Sequence, residues 1–572
     1  MINQKIAKIF KNLSIILELE NDSRFRIIAY EKAADIISNL TQDLKDVYKT
    51  GGLKALQEIP GVGQNIALKI EEFIKTKKIK SYQKLLKKYP ETMLALTEVP
   101  GIGAKVAYKL YKELGITNIT KLEKAAKAGL IQKLPHFKEK SEHNILRGIN
   151  QYRVRTKERN RLLLKTGQRV AQEIITYLTK DPSVKKIDTV GSLRRMKETV
   201  GDIDLVMATN QSKKVFDNLK RAEFVKTVLS QGQTKMSFIH NLQIRVDIEV
   251  LAQKDYGSLL HHLTGSKEHN VRLRTWASEK GLKISEYGIT KNKKLYHFAD
   301  EKSFFKFLKM DYIEPELRED RGEIEAAREK KLPNLVKYTD LQGDLHCHTE
   351  HSDGSNTIEE IIIKAKKLKY KYVGIADHTV GLGVASGLDD QDLLKHYKNI
   401  QKISQKLNFK ALVGAEINIT ATGQLDLKPS TIKNLDFSIG SVHSAFNQPK
   451  EVMTKRVLTA INSGINILGH PSGRLLGKRP GYQLDWPEIF KVCAKNKVAI
   501  EINSSPERLD LNDLLVKQAL SYGCNFVINS DAHKLEHLEQ VQYGLATARR
   551  GWATKKDIIN TYTLARLLAW FK

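Results

Sequence analysis

Three aspartates in the first half of the chain have the spacing needed for metal-dependent phosphoryl chemistry. Asp202 and Asp204 alternate with apolar residues on a predicted strand, and a period of two places both carboxylates on one face. Asp247 occupies the same kind of alternation on a second predicted strand. Neighbouring carboxylates repel one another unless they bind a cation. Three of them from two strands could therefore hold two Mg²⁺ ions that activate a hydroxyl and stabilise a leaving phosphate.

A glycine–serine pair and an arginine precede these acids. Gly191 and Ser192 could offer backbone N–H groups and a hydroxyl to a triphosphate, and Arg195 could add a bidentate phosphate contact. The alternative is an exposed strand face without a ligand, which would suffice for an isolated Asp-x-Asp. The Gly-Ser pair at this distance favours a nucleotide site.

The second half of the chain carries histidines and acids where successive short apolar runs end. His346 and His348 share one face of a predicted strand, because Cys347 between them points the other way. Asp353 follows after a short loop. The later runs end in Asp377-His378, Glu416, His443, His470 and Asp531-x-His533. This mixture of nitrogen and oxygen ligands suits Zn²⁺, Mn²⁺ or Fe²⁺ better than Mg²⁺.

A single histidine in such a place is more often a satisfied polar side chain than a ligand. We expect that ordinary role for His351, His396 and His537, which fall in predicted helices or loops. The strand-end residues differ because the carboxyl ends of strands in a β/α barrel meet at one rim. Their combined placement therefore predicts a polynuclear metal site.

These side chains require three kinds of supporting structure. Residues 1–150 have apolar positions at helical spacing, whereas residues 152–315 mix helices and strands. From Asp340 onward, short apolar runs alternate with helical patterns, as in a parallel α/β domain. In the middle region the predicted strands are Lys186–Val190, Ile203–Met207 and Ile244–Leu251.

A repeated turn in the helical region could bind DNA phosphates. The sequence Glu-Ile-Pro-Gly-Val-Gly ends at Gly63, and Glu-Val-Pro-Gly-Ile-Gly ends at Gly103. We expect helices to follow at Gln64–Ile74 and Ala104–Leu114, with free N–H groups at their first turns. The residues of interest are Gly61, Gly63, Gly101, Gly103, Lys69 and Lys105. The alternative is a tight connection between helices without a ligand.

Composition bounds the remaining possibilities. The 572 residues exceed one compact core, and the 41% hydrophobic and 28% charged fractions argue against a largely disordered or membrane protein. The three cysteines cannot form a disulfide framework, so we expect a cytoplasmic protein. The net charge of +30, most of it before Tyr338, suggests a polyanionic partner, although a lysine-rich solvated surface would look alike.

The first ~317 residues resemble family X DNA polymerases, the group of DNA polymerase beta. The narrower matches are Ala29-Tyr30-x-Lys32-Ala33-Ala34, both glycine turns, Gly232-Gln-Thr-Lys235, Thr264-Gly-Ser266 and Glu286-Tyr287. The resemblance implies that Asp202, Asp204 and Asp247 bind the catalytic Mg²⁺ or Mn²⁺. It also implies that Gly191, Ser192 and Arg195 hold the nucleotide phosphates, and that Gly265 and Asn270 line its sugar and base.

Four positions depart from this family or add to it. His262-Leu263 replaces an aromatic pair that packs on the nucleotide sugar, which predicts weaker discrimination against ribonucleotides. Glu249 replaces an arginine and could act as a fourth acid. Lys69 aligns with the lysine nucleophile of the family's deoxyribose phosphate lyases, and its alternative role is simple phosphate binding.

The second half resembles the PHP (polymerase and histidinol phosphatase) domain throughout its length. The resemblance implies a distorted seven-stranded β/α barrel that holds up to three Mn²⁺ or Zn²⁺ ions and cleaves phosphoesters. The implied ligands are His346, His348, Asp353, His378, Glu416, His443, His470, Asp531 and His533. Glu416 would bridge two metals. Arg474 and Arg479 could grip the substrate phosphate, or could be ordinary solvated arginines.

Together these features predict a multidomain chain. We expect an α-helical, lyase-like DNA-binding domain at 1–85 and a second helix-hairpin-helix subdomain at 86–151. An α+β nucleotidyltransferase palm at 152–255 and a nucleotide-binding subdomain at 256–317 would follow. A linker at 318–339 would lead to a PHP phosphoesterase domain of the (β/α)7 type at 340–572.

The order of these domains matches bacterial family X polymerases. We expect a monomeric repair enzyme of the base excision type that uses dNTPs on gapped or primer–template DNA, away from membranes. Its PHP domain would act as a 3′-5′ exonuclease and could also cut abasic sites. Two alternatives remain open, a non-catalytic DNA-binding repair scaffold and an RNA nucleotidyltransferase fused to a phosphatase.

Overall fold

The structure, a computed structural model, describes residues 2–39, 44–57, 59, 61–99, 101–135, 137, 141–149, 161–380 and 387–572. The chain forms two compact units, Met1–Arg159 and Asn160–Lys572. The boundary predicted between residues 151 and 152 lies outside the described residues, as do Glu58, Pro60 and Pro100 of the glycine turns.

The first unit is helical in its described parts. One continuous apolar core fills it, with Phe10, Ile70, Phe73 and Leu110 among its buried members. Its helices are α1 (Ile2–Leu19), α2 (Arg24–Asn39), α3 (Leu44–Gln57), α4 (Gln64–Thr76), α5 (Lys80–Leu86), α6 (Glu91–Leu94), α7 (Ala104–Leu114), α8 (Ile119–Lys127) and α9 (141–149). Helix α7 has the predicted bounds, and α4 runs two residues further than expected.

Both glycine turns have the backbone that their sequence requires. Gly61 and Gly101 adopt φ values of 81° and 89°, in the left-handed region that favours glycine. Gly63 and Gly103 begin α4 and α7 without a side-chain cap. All four glycines are exposed, so the first turns of both helices present unpaired backbone donors to solvent.

The second unit begins with a region that we call the palm (161–255). Its five-stranded sheet has the order β2-β4-β7-β6-β5, in which β4 and β7 are parallel and the other neighbours antiparallel. The strands are β1 (Leu162–Leu163), β2 (Lys186–Thr189), β3 (Thr199–Val200), β4 (Asp202–Ala208), β5 (Val225–Gln231), β6 (Lys235–His240) and β7 (Arg245–Val250). The helices are α10 (Leu164–Leu178), α11 (Gly191–Arg194) and α12 (Ser212–Leu219). The three strands predicted here are confirmed.

A second region, the thumb (256–339), packs on the palm. Its helices are α13 (Tyr256–Thr264), α14 (Lys267–Glu279), α15 (Glu301–Phe307) and α16 (Glu323–Arg328), and its strands are β8 (Leu282–Ser285), β9 (Gly288–Lys291) and β10 (Lys294–Tyr296).

The segment 318–339, predicted as a linker, is instead part of the thumb. Ile324 and Ala327 of α16 lie in the thumb core. Arg318 is fully buried and pairs with Glu301. Its charged residues resembled a solvated linker in the sequence, but they have partners in the thumb, the palm and the barrel that permit burial.

The third region, the barrel (340–572), is built from two parallel sheets. Strands β11 (Gly343–Cys347), β12 (Tyr372–Ile375) and β13 (Lys410–Val413) form one. The other contains β14 (Glu416–Asn418), β15 (Ile439–Ser441), β16 (Ile467–Leu468), β17 (Ala499–Asn503) and β18 (Phe526–Asn529). Parallel bridges from His378 to Glu416 and from Cys347 to Ala532 join the two sheets. Because β14 continues the line of β13 after two residues, the barrel has the expected seven strand positions.

Helices surround these strands. They are α17 (Ile358–Lys367), α18 (Asp390–Lys406), α19 (Pro429–Ile432), α20 (Lys450–Asn462), α21 (Trp486–Asn496), α22 (Asp513–Leu520), α23 (Val541–Arg550) and α24 (Leu564–Phe571). Leu509 and Tyr543 of the barrel are buried in the palm core, which ties the two regions together. No helix in the described part of the chain is long and apolar enough to cross a bilayer.

Two candidate metal centres

The palm acids lie on two adjacent parallel strands. Asp204 of β4 is directly opposite Asp247 of β7, and Asp202 is opposite Arg245. Burial alternates along β4, with Ile203 and Leu205 in the core and the two aspartates on the open side. The sequence therefore brings all three predicted acids to one end of the palm sheet.

Electrostatic repulsion is visible at this cluster. Burial, together with the negative charges of Asp202 and Asp247, raises the pKa of Asp204 to about 7. Arg245 partly offsets the cluster, since its Nε and Nη2 lie 3.0 and 2.9 Å from the two oxygens of Asp247. A raised carboxyl pKa among like charges is what a divalent cation would relieve.

The Gly-Ser turn lies against the palm acids. Gly191 has a φ of 62°, and a Cβ atom there would lie 2.5 Å from the Asp204 carboxylate oxygen Oδ2. Only glycine lets the backbone approach so closely. Ser192, half-buried, follows in α11. The predicted phosphate-binding turn and the predicted metal acids therefore form one site.

Arg195 and the thumb residues complete the other side of this site. The Arg195 Nη1 donates to the carbonyl of Thr264, and a Cβ at Gly265 would lie 3.3 Å from that nitrogen. Asn270 Nδ2 donates to the carbonyl of His262 at 2.7 Å. The buried Oδ1 of Asn270 has no hydrogen-bond partner among the described residues, so it could accept a bond from a ligand.

Two departures from the polymerase pattern have structural partners. His262 Nδ1 lies 2.8 Å from the Arg274 Nη2, and burial and that positive charge lower the pKa of His262. Leu263 packs against the apolar cluster behind the palm sheet. Glu249, predicted as a possible fourth acid, forms a 2.6 Å ion pair with Lys235.

All nine predicted ligands of the barrel converge at one rim. Glu416 is the centre: its Oε1 lies 2.8 Å from His470 Nε2 and 3.2 Å from His443 Nε2. Its Oε2 lies 2.9 Å from His378 Nδ1 and 3.3 Å from His346 Nε2. A carboxylate in contact with four imidazoles has the arrangement of a bridging ligand.

The remaining ligands form the two flanks of this cluster. Asp531 Oδ1 lies 3.2 Å from His348 Nε2. On the outer side, Asp353 Oδ2 lies 3.4 Å from His378 Nε2 and 3.3 Å from His533 Nε2. Potential ligand atoms come within 4.8 Å of one another in three groups among the described residues: His348, Asp353, His378, His533; His346, His348, Glu416; and His378, Glu416, His443.

The barrel donors fit metal ions. Several buried nitrogen and oxygen atoms of these residues make no contact of hydrogen-bond geometry among the described residues, although some lie within 3.3 Å of one another: His346 Nε2, His348 Nδ1 and Nε2, His378 Nδ1, Glu416 Oε2 and His470 Nδ1. Orphaned polar atoms of this kind are costly unless a ligand satisfies them. Among the described residues, the carboxylate oxygens of Asp202, Asp204 and Asp247 do not form a group whose members all lie within 4.8 Å of one another. The ligand atoms of the barrel do form such groups, so they are packed more closely than the palm acids.

Charge supports the same interpretation. Burial lowers the pKa of His378, but Glu416 and Asp353 outweigh it and raise that pKa to about 10. Burial lowers the pKa of His348 to about 4. Burial raises the pKa of Glu416, yet its neighbouring histidines hold it well below the usual range. The carboxylates are therefore ionised and ready to bind cations.

Further residues that the sequence interpretation missed orient these ligands. Glu501 Oε1 accepts from His346 Nδ1 at 2.7 Å, and Asn418 Oδ1 accepts from His443 Nδ1 at 2.6 Å, with tautomers assigned from these contacts. Each bond leaves the Nε2 of that histidine directed at Glu416. Asn418 is the last residue of β14, so the strand-end signal used for the ligands could have identified it. Glu501 lies in the middle of β17, where no local signal marks it.

A known protein resembles this chain over its whole length. The chain is 34% identical, over 100% of both chains, to the DNA polymerase/3′-5′ exonuclease PolX of Bacillus subtilis (strain 168). The chain belongs to this PolX family. Family models match residues 259–319 as DNA polymerase beta thumb, 344–505 as PHP domain, 1–79 as helix-hairpin-helix domain and 93–151 as SAM-like helix-hairpin-helix tandem. Membership confirms the resemblance inferred from the motifs.

Other relatives match a smaller part of the chain. A probable phosphatase of Caldicellulosiruptor saccharolyticus is 30% identical over 34% of this chain and 80% of its own length. A probable phosphatase of Thermoanaerobacter sp. (strain X514) is 27% identical over 38% of this chain and 89% of its own length.

The arginines predicted to bind the barrel's substrate have other partners in this PolX member. Arg474 pairs with Glu198 of the palm at 2.7 Å and also donates to the Arg508 and Leu509 carbonyls. Arg479 lies over the Phe446 ring. The loop after His470 packs on the palm, and its Arg474 is held there by the ion pair with Glu198. Arg508, missed in the sequence, is nearer the ligands, with Nε 3.7 Å from Asp531 Oδ2.

The predicted DNA-binding residues of the first unit occupy exposed turns. Lys105 is exposed on the first turn of α7. Lys69 is half-buried in α4, and its role as a lyase nucleophile stays a prediction. Helix-hairpin-helix matches over both glycine turns confirm the motif assignment.

Proposed function

We propose that this PolX chain fills short gaps in DNA during base excision repair and trims mispaired 3′ ends. The polymerase site is the palm cluster of Asp202, Asp204 and Asp247, and the 3′-5′ exonuclease site is the nine-ligand centre of the barrel. The observation that carries the proposal is the juxtaposition of Gly191 with Asp204, which puts a phosphate-binding turn against metal-binding acids. A non-catalytic scaffold would not need this arrangement.

In the palm, each residue would perform a separable task on a dNTP. Ser192 and the backbone of Gly191 would bind the triphosphate beside the acids. Arg195 would pair with phosphate oxygens through its Nη2, since Nε and Nη1 already bind Glu319 and Thr264. Gly265 would let the nucleotide sugar approach the thumb backbone, and the free Asn270 Oδ1 would accept a bond from the base.

In the barrel, the ligands would hold and orient a DNA 3′-terminal phosphodiester. Glu416 would bridge two sites, and Glu501 and Asn418 would keep the facing imidazoles in the correct tautomer. Arg508 would pair with the scissile phosphate beside Asp531.

Divalent cations, Mg²⁺ or Mn²⁺ in the palm and up to three Mn²⁺ or Zn²⁺ in the barrel, would supply Lewis-acid stabilisation of phosphate charge and an activated nucleophile. The sequence and geometry fit oxygen-liganded ions in the palm and mixed nitrogen and oxygen ligation in the barrel.

DNA is the partner that the exposed turns of the first unit fit best. Backbone donors at two helix starts bind phosphates without reading sequence. Gly61, Gly63, Gly101, Gly103 and Lys105 would thus hold a duplex on either side of a gap, with the chain acting as a monomer. Abasic-site cleavage and lyase activity at Lys69 remain predictions.

A primer-extension assay tests this proposal. Gapped DNA and a primed single strand are offered with dNTPs or with NTPs, alongside the Asp202→Ala variant as a matched control. We expect dNTP incorporation by the wild-type chain, preferentially at a short gap, and none by the variant. Absence of incorporation by a folded, metal-loaded wild-type chain would contradict the polymerase assignment. Preferential NTP addition to RNA would favour an RNA nucleotidyltransferase.

A further inference from the structure

The last residue of α23, in the barrel, reaches into the palm. Arg550 is 3% exposed. Its Nη1 donates to the carbonyl of Arg195 at 2.6 Å and to Glu319 Oε1 at 3.0 Å. Its Nη2 donates to Asp513 Oδ2 at 2.7 Å, within the barrel itself. One buried guanidinium therefore joins the barrel, the thumb and the palm residue proposed to bind nucleotide phosphates.

Glu319 connects the two arginines. Its Oε1 accepts from Arg195 Nε at 2.9 Å, and its Oε2 lies 3.5 Å from Lys197 Nζ. Burial raises the pKa of Glu319, but Arg550, Arg195 and Lys197 outweigh it and lower that pKa to about 2. The carboxylate is therefore ionised at neutral pH and holds the Arg195 guanidinium from one side while Thr264 holds it from another.

We infer that Arg550 is a positioning residue for nucleotide binding, through which the barrel completes the triphosphate site of the palm. It fixes Glu319, which orients the Arg195 side chain, and it also fixes the Arg195 backbone. Arg195 caps the C-terminus of α11, the turn that carries Ser192. The inference rests on the proposed role of Arg195 and Ser192 in binding dNTP phosphates.

This linkage has a specific kinetic consequence. Without Arg550, Glu319 and the backbone carbonyl of Arg195 would each lose a hydrogen bond. The Arg195 guanidinium would then lose its fixed orientation. Phosphate binding would weaken, whereas the palm acids and the DNA-binding unit would be untouched. The KM for dNTP should therefore rise more than kcat falls, and pyrophosphate, which shares the phosphate contacts, should bind less tightly in parallel.

The neighbouring residue on α23 provides a matched control. Arg549 is also a partly buried arginine that links the barrel to the thumb, with Nε 2.7 Å from Glu316 Oε1 and Nη1 3.2 Å from the Val336 carbonyl. Its hydrogen-bond partners lie in the thumb, and none of its hydrogen bonds among the described residues is made to Arg195 or Glu319. Removing it should disturb the interface between the barrel and the thumb without affecting the phosphate site.

The test measures steady-state kinetics on one-nucleotide-gapped DNA and the Ki of pyrophosphate. The full-length variants are Arg550→Ala, Arg550→Lys, Arg549→Ala and Arg195→Ala, with 3′ resection as an internal check of the barrel. We expect Arg550→Ala to raise the KM for dNTP and the Ki of pyrophosphate by about 10- to 100-fold, the effect of a misplaced binding group. The KM and Ki of Arg550→Lys should lie between those of the wild-type chain and Arg550→Ala, because an ammonium group keeps the positive charge but lacks the planar arrangement of donors in a guanidinium. Arg549→Ala should change KM by no more than about twofold.

Four results would overturn the inference. Equal KM values for Arg550→Ala and Arg549→Ala would show that Arg550 acts as general interface packing. If Arg550→Ala does not fold, Glu319→Gln takes its place, and an unchanged KM there would be equally decisive. An unchanged KM in Arg195→Ala would instead show that the proposed phosphate site itself is wrong. A rise for Arg195→Ala without one for Arg550→Ala would reject only the positioning role.

Discussion

The palm and the barrel each bring together side chains that could bind divalent cations, but the two clusters differ in how closely these side chains are packed. In the barrel, the nine predicted ligands lie in contact with one another, and most are buried. In the palm, three acids share one sheet end, Asp202 is exposed, and Arg245 occupies Asp247. In the proposed function, the palm acids would therefore need the nucleotide to complete the coordination of a metal ion, whereas the barrel residues would supply most of the ligands themselves.

The substrates proposed for the two centres would account for this difference. A dNTP carries its own phosphate oxygens, which can serve as metal ligands, so a sparse set of carboxylates suffices. A phosphodiester at a DNA end carries fewer such oxygens, so a preformed cluster is needed to bind the ions first.

Removing a palm acid should separate the two activities most sharply. We expect Asp247→Ala to lower dNTP incorporation by about 10³-fold or more, since a lost metal removes several kcal/mol of transition-state stabilisation. Removal of 3′ nucleotides should continue at the wild-type rate. Both are measured on one labelled primer–template. Equal loss of both activities in the folded variant would contradict the existence of two separate sites.

The reverse separation should follow from the barrel. His346→Ala combined with His348→Ala deletes two ligands from one strand end, and we expect 3′ resection to fall by about 10³-fold or more. Gap filling should persist. If resection survives in this variant and is instead abolished by Asp202→Ala, the nuclease belongs to the palm.

Either Arg508, as the structure suggests, or Arg479, as the sequence suggested, would bind the substrate phosphate in the barrel. Arg508→Ala should lower 3′ resection by about 10- to 100-fold, because a charge-assisted bond to the scissile phosphate is lost. Arg479→Ala serves as its control and should have a smaller effect, since its guanidinium lies over Phe446. A larger loss for Arg479→Ala would restore the sequence-based assignment. Initial rates on a single-stranded 3′ end provide the measurement.

Proton competition should appear in the palm near neutral pH. The pKa of Asp204 is about 7, so the carboxyl is protonated below that pH and ionised above it. A cation must displace this proton, and the Mg²⁺ concentration for half-maximal incorporation should rise about tenfold per pH unit below 7. Incorporation is titrated with Mg²⁺ at roughly pH 6, 7 and 8. A requirement that stays constant from pH 6 to 7 would show that Asp204 is ionised throughout.

The smallest effect concerns sugar selection. His262→Tyr with Leu263→Phe restores an aromatic pair near the nucleotide sugar, and we expect stronger exclusion of ribonucleotides. One small group is typically discriminated by about tenfold or somewhat more. The ratio of kcat/KM for dNTP and rNTP on a one-nucleotide gap is compared between the two proteins. Equal ratios would show that the backbone alone selects the sugar.

The sequence predicted the candidate metal ligands better than the residues that orient them. Period-two alternation and strand-end placement identified Asp204 and His470, because both patterns are local. The second layer depends on contacts between distant strands, such as Glu501 with His346, so it was missed. The same limit explains the supposed linker at 318–339. Glu323 looks solvated in sequence but lies fully buried against His269, at 2.6 Å.

The central claim is that two metal centres of unequal assembly serve two reactions. Its most direct test is the metal content of the folded chain after gel filtration in metal-free buffer, following loading with Mn²⁺. We predict that the wild-type chain and the Asp202→Ala, Asp247→Ala double variant retain the same number of ions, while the His346→Ala, His348→Ala variant retains fewer. Loss of bound metal from the palm variant, with full retention in the histidine variant, would contradict the account.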